Sequence, residues 1–161
     1  MSARTILYAV LAALAACSPM SADAGQKAAA TASAQHPTSG REVVPLTIAS
    51  ANGRHAFRVE VARSGEEQAK GLMFRTAMGA NEGMIFPMEP ARQASFWMKN
   101  TVIPLDLVFI GPEKRIESIG ANAVPYSLSP IGSTGSVSAV LELNGGRAAQ
   151  LGLATGDRVA W

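Results

Sequence analysis

Residues 96–110 read FWMKNTVIPLDLVFI, and this stretch is the most informative part of the sequence. It contains the large apolar residues of core strands, but a polar cluster that reads KNT and one acid, Asp106, interrupt them. A buried charge without a partner costs roughly several kcal/mol, so Asp106 needs a cation, hydrogen-bond donors or a position at the mouth of a site. Lys99, Asn100 and Arg75 are candidate partners, and we expect Lys99 or Arg75.

Two interpretations of this polar cluster remain open. In the first, an ion pair and Asn/Thr side chains stabilise the loop 99–104 and have no further role. In the second, the cluster belongs to a pocket that binds a small polar ligand, such as a sugar or an anionic metabolite, against an aromatic wall. The residues expected in that pocket are Lys99, Asn100, Thr101, Asp106, Trp97, Arg75 and Glu82.

The sequence on both sides of this stretch predicts short strands and two short helices. Residues 43–49 and 56–61 alternate between apolar and polar and are joined by Asn52-Gly53, which indicates a β-hairpin. Further strands are expected at 83–86, 94–98, 105–110, 115–120, 137–143 and 158–161. The helices are expected at 66–73, after a Ser64/Glu67 capping box, and at 146–151, opened by Asn144. This pattern favours an α+β, mostly β fold, an antiparallel and barrel-like single domain.

The first 16 residues have the features of a signal peptide, with Arg4 followed by an apolar run that is too short to span a bilayer. Residues 14–17 read LAAC, which resembles the bacterial lipobox; that resemblance implies cleavage before Cys17 and a lipid attached to its sulfur. Residues 17–41 are then a lipidated cysteine and a flexible tether, and 42–161 are the globular domain. An ordinary secretory signal with an incidental cysteine is the alternative.

These features predict that the protein is exported. We expect the lipid anchor to attach it to a membrane. By resemblance to lipoprotein sorting, Ser18 after the cysteine favours the periplasmic face of the outer membrane over the inner membrane. Cys17 is the single cysteine of the chain, which fits an anchor better than a free thiol in an oxidising compartment.

Composition argues against several other functions. The formal net charge is +2 and no basic stripe occurs, so nucleic acid is not expected as a partner. No Cys/His set suits zinc, and the methionines between Met73 and Met98 lack the spacing of a copper site, so we expect no metal and no cofactor. The single histidine of the domain, His55, has no nucleophile motif to act with.

Five motifs in order resemble domain-of-unknown-function family 192, an uncharacterised protein family. They are EEQAKGLMFR (66–75), NEGMIF (81–86), FWMKNTVIPLDLVFI (96–110), VLELNGG (140–146) and GLATGDRV (152–159). The resemblance implies the family and its fold, but no established activity.

The leading hypothesis is a lipid-anchored, cell-envelope domain that binds a ligand rather than catalysing a reaction. One alternative is a hydrolase of an envelope glycan or metabolite that uses paired carboxylates, with Asp106 and either Glu82 or Glu67 as acid and base. A second alternative is a structural or assembly accessory protein without a small ligand.

Overall fold

The computed structural model describes residues 34–161. The expected signal peptide (1–16), the lipid attachment at Cys17 and the larger part of the tether lie outside the described residues. Within residues 34–161, no helix combines the length and the apolar character that crossing a bilayer requires.

Short strands dominate the described chain, and two short helices interrupt them. The strands are β1 (Ala34–Gln35), β2 (Glu42–Ser50), β3 (Gly53–Val61), β4 (Glu82–Arg92), β5 (Ser95–Phe96), β6 (Leu105–Ile110), β7 (Ile116–Ala123), β8 (Ile131–Gly132), β9 (Val137–Asn144) and β10 (Arg158–Ala160). The helices are α1 (Gly65–Lys70) and α2 (Arg147–Leu151).

Eight strands form one sheet in the order β1-β2-β3-β4-β9-β6-β7, with β10 paired to β2. The predicted hairpin is confirmed, because β2 and β3 pair antiparallel up to Ser50 opposite Gly53. Strands β3 and β4 run parallel. A parallel pair cannot be joined by a tight turn, so α1 and the loop after it form the crossover between them. Strands β5 and β8 pair separately.

The predicted mostly β fold with two short helices is confirmed, but the sheet is not closed into a barrel. An isolated bridge between Arg115 and Arg158 joins the residue before β7 to the start of β10. Closure would need a continuous ladder of hydrogen bonds between these strands. Strand β10 has only three residues, and they are paired to β2.

Both faces of the central strands are buried, which explains why 105–110 is apolar at nearly every position. One face carries a core that includes Leu46, Ile48, Phe57, Val59, Ile85, Val108, Ile110, Leu141 and Leu143. The other face carries a second core that includes Leu72, Met84, Phe86, Met88, Met98, Leu105, Leu107, Phe109 and Val140. The side chains of residues 105–110 therefore alternate between the two cores.

Helix α1 begins as the sequence predicts. The Ser64 hydroxyl accepts a hydrogen bond from the Glu67 amide at 3.1 Å, and the Glu67 carboxylate accepts one from the Ser64 amide at 2.9 Å. These two bonds form the capping box and satisfy amides that the first turn leaves free. The helix ends at Lys70, three residues before the predicted end, because Gly71 has a positive φ of 48°.

Other boundaries also differ from the predictions. The expected strand 94–98 is reduced to Ser95–Phe96. Strand β4 continues through Pro87 to Arg92, with a register shift against β9 that accommodates proline. Helix α2 begins at Arg147, one residue after the predicted start, and the residue that precedes its first turn is the left-handed Gly146 rather than the expected Asn144.

Candidate functional site

Asp106 is fully buried in β6, and backbone amides bind its carboxylate. Its Oδ1 accepts hydrogen bonds from the amides of Asn122 (2.8 Å) and Gly146 (3.0 Å), and its Oδ2 accepts one from Ala148 (2.7 Å). Such charge-assisted bonds can replace an ion pair. The expected pairing of Asp106 with a lysine or arginine is therefore wrong, and the side chain instead connects β6 to β7 and to the first turn of α2.

Arg75 belongs to a buried ion cluster around Glu60. The Arg75 guanidinium lies 2.7 Å from Glu60 Oε1, and the Arg41 guanidinium lies 3.5 Å from Oε2. Burial raises the pKa of Glu60, but hydrogen bonds from Ser39 and Arg75 and the charge of Arg75 outweigh it and hold the pKa below its ordinary value. His36 Nε2 is 3.6 Å from Oε1.

This ion cluster corrects the expected end of the tether at Arg41. Residues 36–41 contact Glu60 through three side chains, and Ala34–Gln35 pairs with β2 as strand β1. The packed domain therefore begins before residue 42, and charged and polar contacts hold its first segment. The sequence did not predict this packing, because the segment has few large apolar residues.

The carboxylates named for the hydrolase alternative each have a structural partner of their own. Asp106 binds three amides in the core, and Glu67 completes the capping box of α1. Glu82 is exposed at the start of β4, where its carboxylate accepts a hydrogen bond from the Gly79 amide at 2.9 Å. These partners give no sign of an acid and base working together on one bond.

The segment from Trp97 to Thr101 forms a tight turn at one end of the sheet. The Lys99 ammonium lies 5.2 Å from the centre of the half-exposed Trp97 ring. Asn100 has a positive φ of 55°, and its carbonyl accepts a hydrogen bond from the Phe74 amide at 2.8 Å. Thr101 is buried and donates its hydroxyl proton to the Lys99 carbonyl at 3.2 Å. The turn is thus held by a hydrogen bond within the segment and by one from Phe74.

A cleft of about 300 Å³ lies beside this turn, between α1 and residues 92–97. Its walls include Gln68, Lys70, Leu72, Met73, Phe86, Met88, Arg92, Phe96, Trp97, Thr101 and Glu142. Phe86 and Phe96 pack edge to face with ring centres 5.1 Å apart, which fixes the apolar wall. The volume is at the lower end of the range for small-molecule sites.

Glu142 lines this cleft from β9 and is its most unusual residue. It lies opposite Met84 of β4 and Leu107 of β6, and only 5% of its surface is exposed. Its Oε2 atom is buried and has no hydrogen-bond partner among the described residues. Burial raises the pKa of Glu142 to about 8. At pH 7 this carboxyl is therefore largely protonated and able to donate a hydrogen bond.

The charged groups of the cleft wall are Lys70 and Arg92, both of which are exposed. Neither has a salt-bridge partner within residues 34–161. Glu142 is the single acid among the described wall residues, and it is mostly neutral at pH 7. The cleft therefore presents two free cations, a neutral acid and an aromatic wall.

The structure brings only part of the predicted site together. Trp97 and Thr101 line the cleft, and Lys99 stacks on Trp97 at its edge. Asn100 lies in the adjoining turn, with its side-chain amide 3.8 Å from the Met73 sulfur. The remaining predicted residues, Arg75, Glu82 and Asp106, have the separate contacts described above.

Sequence reasoning missed Glu142, although the signal was present. Residues 140–143 read VLEL, an acid within an apolar strand, which is the same anomaly that drew attention to Asp106. The lining residues Lys70 and Arg92 gave no such signal, because a single lysine or arginine in a helix or strand is common on any surface.

Four methionines of the described residues pack in or against the second core. Met84, Met88 and Met98 are buried in the second core, and Met78 packs against it. Residues 34–161 contain no group of three or more His, Cys, Asp or Glu side chains that could hold a metal ion.

A family model covers residues 47–161, and its family is DUF192, described as uncharacterized ACR. The chain belongs to this family. A comparison with curated proteins finds no significant match.

Two solved structures are similar to this chain over most of its length. The first is a protein of unknown function from Novosphingobium aromaticivorans DSM 12444, with 55% identity and a TM-score of 0.80, covering 82% of this chain and 94% of its own. The second, described as a "putative transcription regulator" from Sinorhizobium meliloti 1021, has 38% identity and a TM-score of 0.72, covering 74% and 94%.

Proposed function

We propose that this protein binds a small anionic ligand in the cleft between α1 and residues 92–97. The observation that carries the proposal is Glu142, a buried carboxyl with an unpartnered oxygen at a cleft whose charged wall residues are cations. A buried polar atom without a partner costs about 1–3 kcal/mol, and a ligand oxygen or donor would recover that cost.

The charges favour an anion over a cation. While Glu142 is neutral, the wall carries only the positive charges of Lys70 and Arg92, and the protonated carboxyl can donate to a ligand oxygen. Once Glu142 ionises, it repels an anion. Binding should therefore be strong below pH 8 and weaken as the pH rises through about 8.

Calorimetric titration of the purified protein with glucuronate, a sugar acid, and glucose, its neutral counterpart, tests this proposal at pH 6.5 and pH 9.5. We expect glucuronate to bind more tightly than glucose at pH 6.5, and to lose most of that advantage at pH 9.5. Glu142→Gln should remove the pH dependence, because the carboxamide cannot ionise.

A matched pair of charge variants separates the cleft from general surface charge. Arg92→Gln removes a wall cation, whereas Arg54→Gln removes an exposed arginine of the β2–β3 hairpin. Glucuronate affinity should fall several-fold in the first variant and stay near wild type in the second. Equal losses in both, or equal affinity for glucose and glucuronate, would overturn the proposal.

We also propose that the domain works at the cell envelope, anchored through Cys17 to the periplasmic face of the outer membrane. The support is the lipobox-like sequence at 14–17 and the absence of a second cysteine from the sequence. Cys17→Ala should abolish the acyl mass on the exported protein and release it from the membrane fraction. An unchanged membrane fraction would contradict the proposal.

A further inference from the structure

A second concavity of about 390 Å³ adjoins the cleft. Its wall is formed by Ser95, Phe96, Trp97, Leu128 and Pro130, and the first three of these also line the cleft. We call this second concavity the apolar groove, because its side chains are largely aromatic or aliphatic. The shared wall makes the cleft and the apolar groove neighbouring parts of one surface.

The walls of the apolar groove are held in place by backbone pairing. Strand β5 pairs with β8, so that Phe96 lies opposite Ile131, just after Pro130. The Met98 amide donates to the Ser127 carbonyl at 2.9 Å. These bonds tie the segment that carries Phe96 and Trp97 to both ends of the loop that carries Leu128 and Pro130.

Large apolar side chains are left exposed along this groove. Trp97 is 51% exposed and Leu128 is 65% exposed. Scattered exposed apolar residues are ordinary, but adjacent ones around a concavity indicate that something covers them. An apolar occupant suits this groove, and one that extends along the shared wall into the cleft reaches the positive charges of Lys70 and Arg92.

We infer that the cleft and the apolar groove together bind one single-chain anionic amphiphile. Its charged head lies in the cleft near Lys70 and Arg92, and its hydrocarbon chain lies along Phe96, Trp97 and Leu128. This inference rests on the proposed function, since it names the ligand class of the same site. Two concavities of this size suit a free small molecule such as a fatty acid.

A chain-length series tests the inference on the purified protein. We choose butyrate, hexanoate, octanoate and decanoate below their micelle concentrations, with calorimetry at pH 6.5. Each methylene that becomes fully buried should increase affinity up to about fourfold, so a half-open groove should give roughly twofold per methylene. Octanol, which has the chain without the charge, should bind more weakly than octanoate.

Leu128→Asn should reduce the gain in affinity with each added methylene, and it should leave the affinity for butyrate unchanged. Val124→Asn is the matched control, because Val124 is 67% exposed but lines neither concavity. Both substitutions are on exposed positions, so the fold is preserved.

The outcomes separate this inference from the proposed function. If the fatty acids all bind with one affinity, the inference is wrong and the proposed function stands. If octanol binds as tightly as octanoate, the head site is wrong and the proposed function fails with it. If octanoate monomers do not bind while phosphatidylglycerol vesicles do, the surface contacts a membrane and the inference is overturned.

Discussion

Replacing Glu142 with glutamine should change how stability depends on pH more than it changes stability at any one pH. The substitution keeps the size and hydrogen-bonding groups of the side chain but removes its ionisation. Because the carboxyl is almost fully buried and lacks a partner for Oε2, the folded protein binds a proton that the unfolded chain releases.

The magnitude follows from the two pKa values. The pKa of Glu142 is near 4.5 in the unfolded chain and about 8 in the folded protein. A group whose folded pKa is raised leaves stability unaffected below the unfolded pKa and reduces it as the pH rises to the folded pKa. Each pH unit in this window is worth about 1.4 kcal/mol, so wild type should lose about 3 kcal/mol between pH 5.5 and 8 through this residue.

Urea unfolding followed by circular dichroism at pH 5.5, 6.5, 7.5 and 8.5 measures this dependence. The comparison of wild type with Glu142→Gln cancels the contribution of every other group, because the two proteins differ only at this residue. The acids with a lowered pKa, Glu60, Glu67 and Glu117, are ionised throughout this range in both states. The free energy of unfolding of the variant should therefore rise relative to wild type by about 3 kcal/mol over the range.

Parallel curves for the two proteins would contradict this prediction. They would mean that Glu142 is ionised in the folded protein at neutral pH, and that water or a partner satisfies its carboxylate. The proposed anionic ligand would then meet an ionised acid in the cleft, and the proposed function would fail.

Two further predictions concern the charged groups outside the cleft. Asp106→Ala should lower the free energy of unfolding, measured in urea, by about 3–5 kcal/mol, because three amides lose their acceptor. The control Asp157→Ala leaves one exposed turn amide without its acceptor and should cost under about 1 kcal/mol. Similar costs for the two variants would contradict the core role of Asp106. Glu60→Gln should lower the free energy of unfolding by about 2–3 kcal/mol at pH 7 and by much less at pH 3. The pKa of Glu60 is lower in the folded protein than in the unfolded chain, so its ionised form stabilises the fold at neutral pH and this contribution is lost as the pH falls. A difference between the two proteins that does not change with pH would contradict the ion cluster.

Local sequence patterns predicted the parts of the fold that depend on contacts between residues close in sequence. The Asn52-Gly53 turn and the Ser64/Glu67 capping box involve residues close in sequence, and both form as expected. Barrel closure was predicted from the number of short strands, but it depends on long-range pairing between β7 and β10. That pairing is decided by strand length and register, which local patterns do not specify.

The candidate site shows the same limit. Residues 97–101 were predicted because they are adjacent in sequence, and two of them, Trp97 and Thr101, do line the cleft. The opposite walls come from α1 and from β9, and no spacing rule connects these elements to residues 97–101. Sequence alone could therefore identify one wall of the cleft but not the groups that face it.

Asp106 and Glu142 show why an acid in an apolar strand is informative but ambiguous. Both lie in buried strands of one sheet, and β6 and β9 are hydrogen-bonded neighbours. Asp106 points to the face where the left-handed Gly146 turn presents amides at the start of α2, and its oxygens are satisfied. Glu142 belongs to the opposite face, at the cleft, where its Oε2 lacks a partner. Asp106 therefore stabilises the fold, and Glu142 is the stronger candidate for binding. The difference arises because only the face of Asp106 provides hydrogen-bond donors for the carboxylate.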